Sequence, residues 1–253
     1  MEKLKNKLWI FGHPTNSLKG VLGVRGDSDL EAVASMEVFG AQNIFYVPMG
    51  RPTDRDQKSY EMRKARKVGW NIDNITEVRE LIPLKAKYQN IEIGLFDDFF
   101  SENNPDSNYT NYSIKQMLAL REELHEAGLE MWAVFYSMQT EPGAWIDYLK
   151  IFDGVTFWFW SEPTVAEFEE KCEFFFEHTK GQKRMIGCYM FNLGEEKEAT
   201  PESVRYQLSR DLDFIKEGKL DGIILHTNAF GGLGYKAFDE GVAWCREHGE
   251  DLV

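Results

Sequence analysis

Short apolar runs recur eight times along this chain, and most are separated by a segment with helical spacing. No other feature limits the possible folds as much. The runs are Leu8–His13, Asn43–Met49, Val68–Ile72, Ile91–Asp97, Glu130–Tyr136, Val155–Trp160, Arg184–Phe191 and Gly222–His226. They are rich in Ile, Val, Phe, Tyr and Trp and lack clean alternation, as expected of strands buried on both faces of a parallel sheet. The segments between them carry helix punctuation. Ser28 or Asp29 can cap a helix that runs to Phe39 and stops at Gly40. Ser113–Ala127 places Ile114, Met117, Leu118, Leu120 and Leu124 at helical spacing before Gly128. Thr164 precedes Val165–Thr179, and Thr200-Pro201 opens a helix continuing to about Lys216, with proline in the first turn. The helix between the fifth and sixth strands is short, Trp145–Phe152.

Eight strands with helical crossovers, and no composition break or linker, predict a single (β/α)8 barrel domain spanning residues 1–253. A doubly wound open sheet is the alternative arrangement of the same elements. In a barrel the C-terminal strand ends build the functional face, and the N-terminal ends serve stability. Asp153 and Asp221 precede strands six and eight, so they read as turn or capping residues at the bottom. The top receives His13, Asn71 and Asp73, Asp97 and Asp98, Tyr136 and Gln139, Trp158, Trp160 and Glu162, Tyr189 and Asn192, and His226 and Asn228.

The adjacent carboxylates Asp97 and Asp98 stand out in this set. An apolar run ends in two ionisable groups, which are costly there unless hydrogen-bonded or used. Two like charges this close raise at least one pKa, as a general acid near neutrality requires. Glycoside hydrolysis uses such carboxylate pairs. Neighbouring strand residues point to opposite faces, so both aspartates can meet one substrate only where the strand stops. Glu162 is the first candidate for a more distant partner, with Glu195 and Glu196 behind it. Sugar faces stack on aromatic rings while hydroxyls need polar partners. The expected substrate contacts are therefore His13, Tyr136, Trp160, Tyr189, Asn192, His226 and Asn228, whereas Phe157, Trp158 and Phe159 read first as core.

Charge narrows the partners. Lys+Arg 29 against Asp+Glu 42 gives a net charge of -13, which disfavours nucleic acid and anionic membrane faces and suits a small neutral carbohydrate. Cys172, Cys188 and Cys245 lack disulfide or zinc spacing, and Cys188 reads as core. No apolar run has the length of a signal peptide or a membrane span, so a cytoplasmic location is expected. No cofactor and no metal are expected.

The strand-four ending Leu95-Phe96-Asp97-Asp98 resembles that of barrel glycoside hydrolases of the substrate-assisted β-N-acetylglucosaminidase (O-GlcNAcase-like) type. The chain is also similar to uncharacterised bacterial glycosidase-like barrels, through Asp97-Asp98-Phe99-Phe100 and Trp158-Phe159-Trp160. The resemblance implies that Asp97 orients and polarises a substrate acetamido group and that Asp98 is the general acid/base. Two readings compete with a glycosidase. A sugar or sugar-phosphate isomerase, epimerase or aldolase could hold phosphate at Gly231-Gly232-Leu233-Gly234, before the last helix. A non-catalytic carbohydrate-binding barrel needs the same aromatics and hydrogen-bonding groups but no raised pKa.

Overall fold

The computed structural model describes residues 1–101, 108–140, 143 and 145–253. Eight parallel strands close a barrel: β1 Leu8–Gly12, β2 Asn43–Tyr46, β3 Lys67–Asn71, β4 Ile91–Phe96, β5 Glu130–Tyr136, β6 Gly154–Trp158, β7 Lys183–Tyr189 and β8 Gly222–His226. Each strand hydrogen-bonds its sequence neighbours, and β1 closes the ring onto β8 with Leu8 opposite Ile223 and Phe11 opposite His226. Eight helices alternate with the strands: α1 Ala32–Phe39, α2 Arg55–Glu61, α3 Val78–Lys87, α4 Ile114–Glu126, α5 Trp145–Leu149, α6 Val165–His178, α7 Pro201–Lys216 and α8 Lys236–His248. The fold is a single (β/α)8 barrel, and the open-sheet alternative is set aside by its closure.

Several of the expected strands overrun their observed ends at the top. Pro48 has no N–H to give a ladder, and Met49 turns into the left-handed region at φ 56. At the end of β7, Phe191–Asn192 leaves the barrel to pair antiparallel with Lys197–Glu198. Glu195 and Glu196 thus sit in the turn of a small hairpin. Gly23, at φ 79, lets the loop after β1 lie against this hairpin, because a Cβ there would stand 2.5 Å from the Glu196 carbonyl oxygen.

The helix starts follow local chemistry. Ser113 and Thr164 form capping boxes with Gln116 and Glu167, and Thr200 caps α7 through Ser203 N–H with Pro201 in the first turn. Ser28 is different. Its hydroxyl donates to the carbonyls of Asn228 and Gly231 at 3.0 and 2.8 Å, while α1 begins after Glu31 without a side-chain cap. Ser28 therefore ties the β1–α1 loop to the segment after β8. At the bottom, Asp153 accepts from Met131 N–H and Arg121, and Asp221 accepts from Arg184 N–H, as turn braces.

The barrel interior is filled by aromatics laid over glycines. Phe45 faces Gly69, Trp132 faces Gly154 and Trp158 faces Gly187, each pair in direct register on adjacent strands. A Cβ on any of these glycines would lie 2.2 Å from the facing ring. Large and small residues thus interdigitate across the interior as close packing demands. The alternate residues face outward, where Phe157 stacks on Phe175 of α6 at 4.7 Å and Phe159 on Phe168 at 5.0 Å. Cys172, Cys188 and Cys245 are free and buried, and burial pushes the Cys188 thiol well up, away from nucleophile chemistry.

Candidate active site

At the top of the barrel the ladder of β4 ends at Phe96, one residue before the aspartates. Asp98 then adopts φ 53, in the left-handed region that short polar residues tolerate best. This reversal breaks the in–out alternation of a strand, so both Asp97 and Asp98 line the same cavity. Phe99 and Phe100 anchor the turn from behind. Phe99 packs on Phe96 and Phe152, and Phe100 packs edge-on against Phe135 at 5.7 Å. Asp98 N–H donates to Asp97 Oδ1 at 3.0 Å.

The cavity has a volume of about 130 Å³ and lies over the top end of the barrel core, with Phe11, Val134 and Trp158 at its base. That is smaller than the ~300–1,000 Å³ typical of pockets for drug-sized ligands, and it suits a single small ring. Trp160 stands edge-on to both Tyr136 and Tyr189, with centroids 6.0 and 6.2 Å away. Among the described residues, no lysine or arginine lines this cavity.

Burial and mutual repulsion set the protons. Desolvation, then the charges of Asp98 and Asp73, hold the Asp97 carboxyl well above the usual carboxylate range, although the Asp98 N–H bond pulls the other way. Asp98 is also raised by burial, but the Tyr136 hydroxyl, hydrogen-bonded to it, offsets part of the rise. The pair therefore retains a proton above the usual range, and in the free protein Asp97 is its better holder. Tyr136 is hydrogen-bonded through its hydroxyl to Asp98 and is also hydrogen-bonded to Tyr189. Burial pushes both phenols well up.

Two histidines complete the wall from β1 and β8. His13 Nδ1 lies 3.1 Å from the Val47 carbonyl, and His13 Nε2 lies 3.2 Å from His226 Nε2. A carbonyl only accepts, so His13 carries its proton on Nδ1. Burial lowers His13 to about 4 and His226 well below its ordinary value, which keeps both rings neutral at neutral pH. With His13 Nε2 then a lone pair, His226 must donate from Nε2. Among the described residues, His226 Nδ1 has no hydrogen-bond partner and is left as an acceptor.

The structure thus brings Asp97, Asp98, His13, Tyr136, Trp160, Tyr189 and His226 to one cavity, and it leaves three expected residues outside. Glu162 accepts from Thr200 N–H and Oγ1 at 2.9 and 2.7 Å, so it braces the start of α7 instead of facing the aspartates. Asn192 accepts from Glu195 N–H and holds the hairpin turn. Asn228 accepts from His13 N–H at 2.8 Å and donates to the carbonyls of His13 and Leu30, locking the end of β1 to β8. Its hydrogen-bonding capacity is spent inside the protein.

The sequence reading did not single out the wall made by Leu18, Val21, Leu22 and Met49. Its available signal was the length of segment 13–31 between β1 and α1, far beyond the ~2–6 residues usual for such loops. Asp73 was read only as a rim residue. Asp73, two residues past the end of β3, lies close enough for its charge to help raise the Asp97 carboxyl. Asn71 Nδ2 donates to Asp73 Oδ1 at 2.5 Å and fixes it there.

No family model and no curated protein matches the chain. Solved structures do match its fold. A glycoside hydrolase family 17 β-1,3-glucanosyltransferase from Rhizomucor miehei superposes with TM-score 0.57 at 10% identity, covering 88% of this chain and 86% of that one. The GH18 chitinase ChiB of Flavobacterium johnsoniae gives TM-score 0.60 at 10% identity over 98% and 95%. A tryptophan synthase complex from Pyrococcus furiosus gives 0.56 at 10% identity over 98% of both chains. Glycoside hydrolases are thus among the proteins that share this barrel, and a synthase with different chemistry shares it too.

Proposed function

We propose that the protein is a glycoside hydrolase acting on a small neutral or N-acetylated sugar glycoside by carboxylate acid/base catalysis. The observation that carries the reading is the Asp97–Asp98 pair, turned into one cavity where burial and mutual repulsion raise both carboxyls. Asp97 gives its proton to the glycosidic oxygen as the C–O bond breaks. Asp98, the member of the pair whose carboxylate form the Tyr136 hydroxyl favours, faces the positive charge developing at the anomeric carbon or holds the acetamido N–H of an N-acetylated sugar. Asp97, then a carboxylate, takes a proton from the incoming water. This exchanges the two roles that the resemblance implied, because Asp97 faces two neighbouring charges while Asp98 receives a phenol donor.

The sugar-phosphate reading fares less well. The N-terminus of α8 already has a carboxylate on it, since Ala237 N–H donates to Glu198 Oε1 at 3.1 Å. A phosphate brought to the cavity would meet two aspartates and, among the described residues, no cation. Among the described residues, no group of three or more His, Cys, Asp or Glu is arranged to hold a metal ion.

The test is sugar release from a panel of glycosides, followed across pH. Turnover is expected only between the two steps in which the pair loses its protons. Tyr136→Phe removes the donor that stabilises ionised Asp98, so Asp98 titrates higher and the acidic limb moves to higher pH. An acidic limb left in place by Tyr136→Phe would contradict the assigned roles. Ligand binding without any release would favour the non-catalytic carbohydrate-binding barrel.

A further inference from the structure

The cavity has two unlike walls. The ends of β1 and of β4 to β8 supply carboxylates, phenols, imidazoles and indoles beside Phe11, Val134 and Leu193, while the loops after β1 and β2 supply only apolar side chains, Leu18, Val21, Leu22 and Met49. Val21 and Met49 are 38% and 42% exposed, on a protein of strongly negative charge. Scattered exposed apolar residues need no explanation, but these two line one cavity together with Leu18 and Leu22. Their backbone is also unusual. Leu22 and Met49 have φ 46 and 56, a region that bulky side chains rarely adopt. With Asp98, three of the five non-glycine residues at positive φ among the described residues line this cavity. Unfavourable backbone gathered at one pocket is a mark of a functional constraint.

We propose that Leu18, Val21, Leu22 and Met49 form a hydrophobic subsite for the leaving group, so that the substrates are single-sugar glycosides of apolar alkyl or aryl alcohols. The proposal rests on the glycosidase reading and names its substrate class. A hydrolase must hold the groups on both sides of the bond it breaks. The whole cavity, at about 130 Å³, suits one sugar ring, so the leaving group extends to its open side along Val21 and Met49, which are partly exposed. A leaving sugar placed against this apolar wall would bury hydroxyls opposite four side chains that offer them no partner, which is costly. An apolar alcohol loses nothing there and gains from leaving water. In the reaction Asp97 transfers its proton to the leaving oxygen and the C–O bond breaks. Water adds to the anomeric carbon, its proton passes to Asp97, and the alcohol departs past Val21 and Met49.

Methyl, butyl and hexyl glycosides of glucose and of N-acetylglucosamine, in both anomers, test this, because their alcohols differ little in acidity. For the accepted sugar, kcat/KM is expected to rise with chain length, by up to about fourfold per methylene where burial is complete, from ~0.8 kcal/mol per CH₂. Val21→Asn with Met49→Gln should lower the hexyl-to-methyl ratio by roughly tenfold or more, given the same free energy per methylene. Both residues are exposed, so folding is spared. The same series is measured for binding to Asp97→Asn, through changes in tryptophan fluorescence, to which Trp158 and Trp160 at the cavity contribute, and this readout does not depend on turnover. A flat chain-length series in turnover and binding, or a ratio unchanged in the double variant, overturns the subsite. Chain-length-dependent binding without turnover upholds the subsite and sinks the hydrolase reading. Neither binding nor turnover across the panel removes both.

Discussion

Asp97→Asn is expected to lower kcat/KM on the accepted glycoside by ~10²–10⁴-fold, the usual contribution of a positioned general acid. The substitution preserves shape and the hydrogen bond from Asp98 N–H at 3.0 Å, so the turn and the cavity should persist. What it removes is the proton that burial and the charges of Asp98 and Asp73 keep on this carboxyl. Affinity should change little, so the loss falls on kcat. Asp98→Asn acts differently: without the Asp98 charge the Asp97 pKa falls, and the alkaline limb of remaining activity moves to lower pH. Steady-state kinetics across pH for the wild type and both variants check this. An Asp97→Asn enzyme with unchanged turnover would remove Asp97 from the chemistry.

Gly187→Ala is expected to destabilise the barrel by about 1–3 kcal/mol through overpacking. The added Cβ would lie 2.2 Å from the Trp158 ring, which is fully enclosed and cannot retreat without moving. Trp158 is fixed by its indole N–H on Thr156 Oγ1 at 2.8 Å, and it packs edge-on against Phe11 and tilted against Tyr189. The damage therefore reaches the cavity, and ligand affinity should fall together with Tm, by roughly 2–4 °C per kcal/mol for a chain of this size. Thermal melts of Gly187→Ala, Trp158→Leu and the double variant measure the coupling. The double variant should cost less than the sum of the two, because the smaller side chain makes room for the methyl. Strict additivity would mean that the glycine is not there for the tryptophan.

These two residues mark where the sequence was readable and where it was not. The strand runs were legible because strands buried on both faces are continuous in apolar residues, and the caps at Ser113, Thr164 and Thr200 were legible because capping is local. Gly187, Gly154 and Gly69 carried no local meaning, since each answers to an aromatic on the neighbouring strand. The same holds for Ser28. It resembles an N-cap by position, yet its hydroxyl is bound to carbonyls 200 and 203 residues away. Glu162 was misplaced for a related reason, because proximity to a strand end does not fix a direction, and Thr200 draws its carboxylate aside. The Asp97–Asp98 pair was found because adjacency in sequence is itself the signal. Whether both face the mouth depended on φ 53 at Asp98, which no pattern announced. The apolar wall of the cavity came from a long loop without periodicity, where side-chain direction is set only by the finished fold.

The claim at the centre of this account is that the Asp97–Asp98 pair keeps a proton inside the cavity at a pH where ordinary carboxylates have lost theirs. Titration of the aspartate side-chain ¹³C resonances, assigned with Asp97→Asn and Asp98→Asn, measures it directly. The account predicts two separated steps for the pair, the later one well above the ~3.9 of a free aspartate and centred on Asp97. Two aspartates titrating together near that ordinary value would contradict it.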